Sequence, residues 1–230
     1  MNAIILAAGL GSRFEEWTKT KHKALLPINK VPNLERTIQF LIEAKINEIY
    51  IVTGHLANQF EYLTKKFPGV KLIFNKMYKE YNSIYSFKLA LPYFEDSFII
   101  DADTVFLENI FLNLKPTQST YFTIIRIDQE NEWCPILDNN QKVIDIKITD
   151  EQLPSLSGVS FWEMQDCKII KQNFSNYLQS KNLKKPSLYW DNIPLDLIET
   201  LNITIFQLKQ NTLYEMDNQK DYLKIIKSIS

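Results

Sequence analysis

The chain has 230 residues, of which 45% are hydrophobic and 23% charged, and its 26 Lys and Arg nearly balance 27 Asp and Glu to leave a net charge of −1 at pH 7. This is the composition of an ordinary globular protein, and the balanced charge gives no support to binding of nucleic acid or of an acidic membrane surface. No apolar run approaches the roughly 20 residues of a membrane span, the start lacks the basic region of a signal peptide, and two cysteines make no disulfide framework, so we expect a cytoplasmic protein without membrane insertion.

Hydrophobic periodicity in the first half of the chain predicts strands that alternate with helices. The strands are expected at residues 3–8, 48–53, 70–74 and 97–101, and the helices after Asn33 as N-cap, through 60–67, and at about 83–91 before Pro92. This βαβαβαβ order is typical of a mostly parallel sheet with helices on both faces and right-handed crossovers. We therefore predict a Rossmann-like α/β fold, in which ligands bind outside the carboxyl ends of the strands.

The second half is predicted to be richer in strands. Extended segments are expected at residues 119–127, 133–138, 142–149 and 156–162, followed by a helix to about residue 180 and a last helix at 218–228. No linker rich in Pro, Gly or Ser interrupts the chain. We interpret residues 1–230 as one domain, a mixed sheet flanked by helices with a β-rich insertion in its second half.

A glycine turn follows the first predicted strand, in Gly9-Leu10-Gly11-Ser12-Arg13. It is not a dinucleotide fingerprint, because Phe14 stands where the third glycine is needed, and it is not a P-loop, because no G-K-[ST] follows. What remains is a strand, a glycine turn and a cation that can meet phosphate. A tight turn without a ligand is the alternative.

Two pairs of acidic residues are candidates for a metal site. Asp101 and Asp103 close a predicted strand, and alternation places both carboxylates on one side of it. Oxygen ligands at a strand end suit Mg²⁺, although an aspartate here can instead cap the next helix. Glu215 and Asp217 repeat the spacing, and for Asp217 the alternative is again that it caps the last helix.

Two aromatic clusters lie among polar residues, at Trp133 and at Tyr189-Trp190-Asp191. In an extended segment Tyr189 and Asp191 face the same way. A ring face beside a carboxylate suits a quaternary ammonium ion, which has no N–H to donate; packing in a strand is the alternative. His22 and His55 lie in predicted loops without triad partners, and Cys134 and Cys167 lack metal-ligand spacing, so neither a hydrolase nor a zinc protein is supported.

Together these segments resemble a known family. "AIILAAGLGSR", followed by Lys23-Ala24-Leu25, is similar to the signature of nucleotidyltransferases that couple a nucleoside triphosphate to a phosphorylated small molecule. "FNKMYKEYNSIYS", "IDADT", "NEW", "LSGVSFW", "YWDN" and "YEMD" resemble segments of the bacterial CTP:phosphocholine cytidylyltransferases, in the same order over essentially the whole chain. The resemblance implies transfer of CMP from CTP to phosphocholine with Mg²⁺ as cofactor. It also implies a nucleotide-binding half, residues 1–115, and an acceptor-binding half, residues 116–230.

The resemblance also implies roles for individual residues. Arg13, Lys23 and Asp103 would be catalytic, and Asp103, Glu215 and Asp217 would hold Mg²⁺. Trp133, Tyr189 and Asp191 would hold the choline head. The nucleotide would be bound by Ala8, Gly9, Gly11, Ser12, Arg13 and Asn82.

Three positions depart from the pattern of the superfamily. Glu15 and Glu16 stand where a proline is usual, and His22 replaces the proline before Lys23, which leaves the path of the phosphate loop open. Two other functions remain as alternatives: an enzyme acting on another phospho-amine, a phosphonate or a phosphosugar, and a non-catalytic nucleotide-binding regulator. The sequence does not determine the oligomeric state.

Overall fold

The structure is a computed structural model of the chain, and it describes residues 1–14, 16–127 and 129–229. The strands are β1 (Asn2–Ala7), β2 (Pro27–Ile28), β3 (Val31–Pro32), β4 (Ile49–Thr53), β5 (Val70–Phe74), β6 (Ser97–Asp101), β7 (Thr104–Phe106), β8 (Ser119–Ile124), β9 (Glu132–Leu137), β10 (Val143–Thr149), β11 (Ser155–Trp162), β12 (Ile203–Gln207) and β13 (Leu213–Glu215). The α-helices are α1 (Trp17–Thr20), α2 (Asn33–Glu43), α3 (Glu61–Lys66), α4 (Ser83–Ala90), α5 (Met164–Asn173), α6 (Ser180–Leu183), α7 (Asn192–Asp196) and α8 (Gln219–Ser228). Glu15 lies outside the described residues.

Seven strands form the central sheet, in the order β12-β8-β11-β6-β1-β4-β5. β6, β1, β4 and β5 run parallel to one another, whereas β11 pairs antiparallel with both β6 and β8. The predicted βαβαβαβ order and the mostly parallel mixed sheet are therefore confirmed. The predicted insertion is divided: β8, β11 and β12 extend the central sheet, and β9 and β10 form a separate antiparallel hairpin.

Helices cover both faces of the sheet because the inner strands are apolar on both sides. In β1, Ala3 and Ile5 pack with α2 and α3 on one face, and Ile4 packs with α4 and α5 on the other. The helix expected to reach residue 180 is shorter, since α5 ends at Asn173 and a 3-10 turn follows. None of the described helices is long and apolar enough to cross a membrane.

The last helix returns the chain to the glycine loop. Ile225 of α8 packs with Phe14 and Met216, and the Gln219 side chain donates to the carbonyl oxygen of Phe14 at 3.0 Å. Asn218, and not Asp217, is the N-cap of α8, in a capping box with Asp221. The alternative that Asp217 caps this helix is therefore wrong.

Asn33 has a different role from the predicted one. Pro32 holds the N-cap position of α2, and Asn33 is the first residue of the helix. The Asn33 amide donates to the carbonyl oxygens of Ala102 at 3.4 Å and Thr104 at 2.9 Å. These two hydrogen bonds stabilise the turn that follows β6 and contains Asp103.

Replacing Gly69 with alanine is expected to lower the free energy of unfolding by about 3 kcal/mol, which is about 9 °C in melting temperature for a chain of this size. A Cβ at residue 69 would lie 1.8 Å from the backbone oxygen of Asn47, and that backbone cannot move without disturbing β4. Thermal unfolding measures the effect. Gly9→Ala is the control, since a Cβ there has nothing within 4 Å; equal melting temperatures for the two variants would contradict the argument.

Candidate active site

The carboxyl ends of β1 and β6 meet at one edge of the sheet, because these strands are parallel neighbours. They bring Ala8 and Gly9 beside residues 101–103, as expected for ligand sites in such sheets. A first cavity of about 320 Å³ opens there. The predicted site residues that line it are Ala8, Gly9, Lys23, Asn82, Asp103, Tyr189 and Asp191.

The glycine loop turns away from this cavity after Gly9. Gly11 has a φ of +62°, a conformation that favours glycine, and residues Ser12–Phe14 form a short 3-10 turn. Gly11 and Ser12 are therefore not among the residues that line the first cavity, and Arg13 lines a second one beside it. Contact of these three residues with a nucleotide stays a prediction.

Lys23 lies inside the first cavity and contacts the predicted metal ligand. Its Nζ is 2.6 Å from Oδ2 of Asp103, and the lysine side chain is 15% exposed. The lysine begins a 3-10 turn that is capped by His22, whose Nδ1 accepts from the backbone N–H of Ala24 at 3.1 Å. A mostly buried ammonium next to a carboxylate is a ready partner for a phosphate oxygen.

His22 keeps the backbone path that a proline would impose. Its φ is −65°, which is the value fixed by the proline ring, so the backbone at this position has a conformation that proline also adopts. Burial, together with the nearby His55 and Lys23, lowers the pKa of His22 to about 4. The imidazole is therefore neutral at pH 7.

The second cavity has a volume of about 400 Å³ and is strongly acidic. Among the described residues that line it are six carboxyl side chains and one guanidinium, that of Arg13. The carboxyl groups belong to Asp101, Glu130, Glu132, Asp191, Glu215 and Asp217. Such a concentration of carboxyl groups favours a cationic ligand, which stabilises their ionised forms.

Aromatic rings stand beside this charge. Trp133 and Tyr189 meet edge to face with ring centroids 6.5 Å apart, and both line the second cavity. Tyr189 is 51% exposed, whereas Trp190 is 3% exposed and stacks on Phe87. Packing in the core therefore describes Trp190, whereas Tyr189 lines the second cavity. Residues 188–191 do not form the extended segment expected, because a turn at residues 190 and 191 leads into α7.

Asp101 and Asp191 lie in the wall that the two cavities share, together with Tyr189 and Trp190. Burial raises the pKa of Asp191 to about 7. Burial also raises the pKa of Asp101 well above its usual value, and the carboxylates of Asp103, Asp191 and Glu215 raise it further. A cation placed in this wall would stabilise the ionised forms of both groups.

Each of the three predicted metal ligands forms a salt bridge with a basic side chain. Lys23 pairs with Asp103, Arg126 Nη2 lies 2.9 Å from Glu215 Oε1, and Arg13 Nη1 lies 2.8 Å from Asp217 Oδ2. No group of three or more His, Cys, Asp or Glu in residues 1–14, 16–127 and 129–229 is arranged to hold a metal by itself. Mg²⁺ needs only one or two carboxylates beside substrate phosphates and water, so these oxygen donors fit it.

Some residues of the site carried no signal in the sequence. Arg126 follows β8 outside any motif, and its contacts come from segments remote in the chain. Tyr121 lies within β8, and its hydroxyl is buried at the second cavity without a hydrogen-bond partner among the described residues. The resemblance implied a nucleotide contact for Asn82. In the structure its side chain caps α4 and donates to the carbonyl oxygens of Asn182 and Lys185.

Comparison with known proteins agrees with this geometry. A family model described as the MobA-like NTP transferase domain matches residues 3–130. The chain is 54% identical over its full length to the choline-phosphate cytidylyltransferase of Haemophilus influenzae, 98% of which is covered. It is 31% identical to the 2-aminoethylphosphonate cytidylyltransferase of Lancefieldella rimae, over 94% of this chain and 88% of that relative.

A solved structure extends the likeness to three dimensions. The CTP:phosphocholine cytidylyltransferase LicC of Streptococcus pneumoniae matches with a TM-score of 0.93 and 39% identity, over 100% of this chain and 99% of that one.

The mostly parallel sheet, the glycine loop and the paired cavities at the strand ends define a protein of the nucleotidyltransferase class. The chain belongs to the MobA-like NTP transferase family, on the branch of its cytidylyltransferase relatives. The resemblance seen in the sequence is confirmed.

Proposed function

We propose that this protein is an enzyme that transfers CMP from CTP to phosphocholine, with CDP-choline and pyrophosphate as products. One observation carries the proposal: a cavity lined by Gly9 and a mostly buried lysine adjoins an acidic, aromatic cavity through a shared wall. The first suits a triphosphate and the second a quaternary ammonium ion. The Haemophilus and Streptococcus relatives are both cytidylyltransferases named for phosphocholine, which supports the same reaction.

The reaction needs little acid–base chemistry from the protein. A phosphomonoester has its second pKa near about 6, so the attacking oxygen of phosphocholine is already ionised at neutral pH. The difficulty is to bring one anion to another. Lys23 offsets charge on the triphosphate, and the walls of the two cavities align the substrates for in-line attack on the α-phosphorus. In this proposal Arg13 leaves Asp217 to meet the triphosphate.

We further propose that Asp103, with Glu215 and Asp217, holds Mg²⁺. Held there, Mg²⁺ would supply positive charge that offsets the negative charge of the reacting phosphates. In the free protein Lys23, Arg126 and Arg13 neutralise the same carboxylates. Nucleotide phosphates offer Lys23 and Arg13 new partners, so Asp103 and Asp217 become available to the metal as CTP binds.

A cytoplasmic location also belongs to the proposal. Cys134 and Cys167 are both buried and free, as is usual in a reducing compartment.

The decisive experiment is a panel of acceptors assayed for pyrophosphate release with CTP and Mg²⁺. Phosphocholine is expected to give the highest kcat/KM. Faster turnover of phosphoethanolamine, 2-aminoethylphosphonate or a sugar phosphate would identify a sister enzyme. Binding of CTP without pyrophosphate release from any acceptor would identify a nucleotide-binding regulator.

Tyr189→Ala is expected to lower kcat/KM for phosphocholine by about 30-fold, since loss of one desolvated cation–π contact costs about 2 kcal/mol. Phosphoethanolamine, whose ammonium can still donate to Asp191, should lose less. Kinetics with both acceptors and thermal unfolding measure the effect, and Tyr189→Phe, which keeps the ring, is the control. Parallel losses for the two acceptors with a lower melting temperature would show that Tyr189 is ordinary packing.

A further inference from the structure

Arg126 joins three segments of the second cavity, although no motif or resemblance marks it. The guanidinium lies 2.9 Å from Glu215 of β13 and 3.5 Å from Glu132 of β9. It also donates to the carbonyl oxygen of Leu156 at 3.0 Å and to the hydroxyl of Ser155, both in β11. The side chain is 18% exposed, so these contacts are largely shielded from water.

The Glu132 contact matters because β9 carries Trp133. β9 pairs only with β10 among the described strands, so the hairpin lies outside the central sheet. Through these contacts, the mostly buried side chain of Arg126 connects the start of β9 to β11 and β13. Its planar, five-donor group suits this task, because it can hold two carboxylates and two further oxygens in one geometry.

We propose that Arg126 is a positioning residue for acceptor choice: through Glu132 it holds the Trp133 ring at the distance from Glu215 that suits a trimethylammonium group. This inference rests on the proposed function, since it assigns Trp133 to the choline head. Arg126 acts through Glu132 and touches neither the ring nor the reacting atoms. A trimethylammonium ion depends on ring faces, whereas a primary ammonium can donate to carboxylates, so only the former needs Trp133 held in place.

The change in affinity for each acceptor when Arg126 is removed distinguishes this positioning role from two other roles. If Arg126 acted only by its charge, its removal would leave the acidic cavity more negative, and both phosphocholine and phosphoethanolamine would bind more tightly. If Arg126 held the phosphate of the acceptor, its removal would weaken both ligands equally. The positioning role weakens phosphocholine alone.

The test is calorimetric titration of Arg126→Met with phosphocholine, and with phosphoethanolamine by competition, each with Mg²⁺ and a non-hydrolysable CTP analogue present. Phosphocholine is expected to bind about 10-fold more weakly and phosphoethanolamine within about threefold of wild type. Lys147→Met is the matched control, because it removes an exposed cation of β10, paired with Glu151, from the same hairpin. Equal losses for both ligands, or tighter binding of both, would overturn the proposal.

Two further variants keep the test decisive if Arg126→Met does not fold. Arg126→Lys keeps the positive charge but not the planar group with several donors, and its affinity for phosphocholine should fall about threefold. Glu132→Gln should weaken phosphocholine more than phosphoethanolamine, and should not widen that difference in an Arg126→Met background, because the two residues act as one contact. An unchanged phosphocholine affinity in Glu132→Gln overturns the proposal. If the wild-type protein binds phosphocholine but releases no pyrophosphate, the proposed function is refuted, and the affinities of the variants relative to wild type still test the role of Arg126. If the wild-type protein does not bind phosphocholine, both proposals are overturned.

Discussion

Replacing Asp103 with asparagine is expected to lower pyrophosphate release roughly 1,000-fold while leaving the fold intact. Asp103 follows β6 at the carboxyl edge of the sheet, and its carboxylate is the oxygen donor of the first cavity that faces Lys23. Asparagine keeps the shape of the side chain but not the charge, so the affinity for Mg²⁺ and the stabilisation of the transition state fall together.

Steady-state kinetics across a range of Mg²⁺ concentrations, with thermal unfolding in parallel, test this expectation. The mutant should require more Mg²⁺ for half-maximal rate than the wild type. Asp145→Asn, which removes an exposed carboxylate from β10, should change neither quantity. Near-normal turnover of Asp103→Asn at saturating Mg²⁺ would rule out the metal role.

Lys23→Met is expected to lower kcat/KM for CTP by about 100-fold, with little change in the KM for phosphocholine. The Lys23 ammonium lies in the first cavity, where its neighbours are the glycine loop and Asp103. Lys21→Met is the control, because Lys21 carries the same charge two residues earlier but is exposed.

A double variant of Lys23 and Asp103 adds a second criterion. Because the two side chains are in direct contact in the free protein, the effects of the single changes should not add. A rise in the KM for phosphocholine alone would place Lys23 at the wrong substrate and contradict the assignment.

Much of the fold could be predicted from local patterns. The apolar strands at residues 49–53, 70–74 and 97–101 lie within a residue of the expected bounds, since a strand buried on both faces is an uninterrupted apolar run. The same reasoning placed Gly9 and Asp103 at one edge of the sheet. It could not show that β8, β11 and β12 would join that sheet, because strand order depends on contacts between distant segments.

The sequence by itself determined the class of fold and the edge of the sheet where the two cavities open, and its family segments predicted the residue types of the site. The tertiary structure decided which of those side chains meet. Arg13 lies against Asp217 because α8 packs on Phe14, more than 200 residues away in the chain. Arg126 contacts Glu132 and Glu215 only because a hairpin and a returning strand converge on the end of β8. Hydrophobic periodicity reports the local conformation of the backbone, whereas these contacts depend on packing across the whole sheet, which no local pattern encodes.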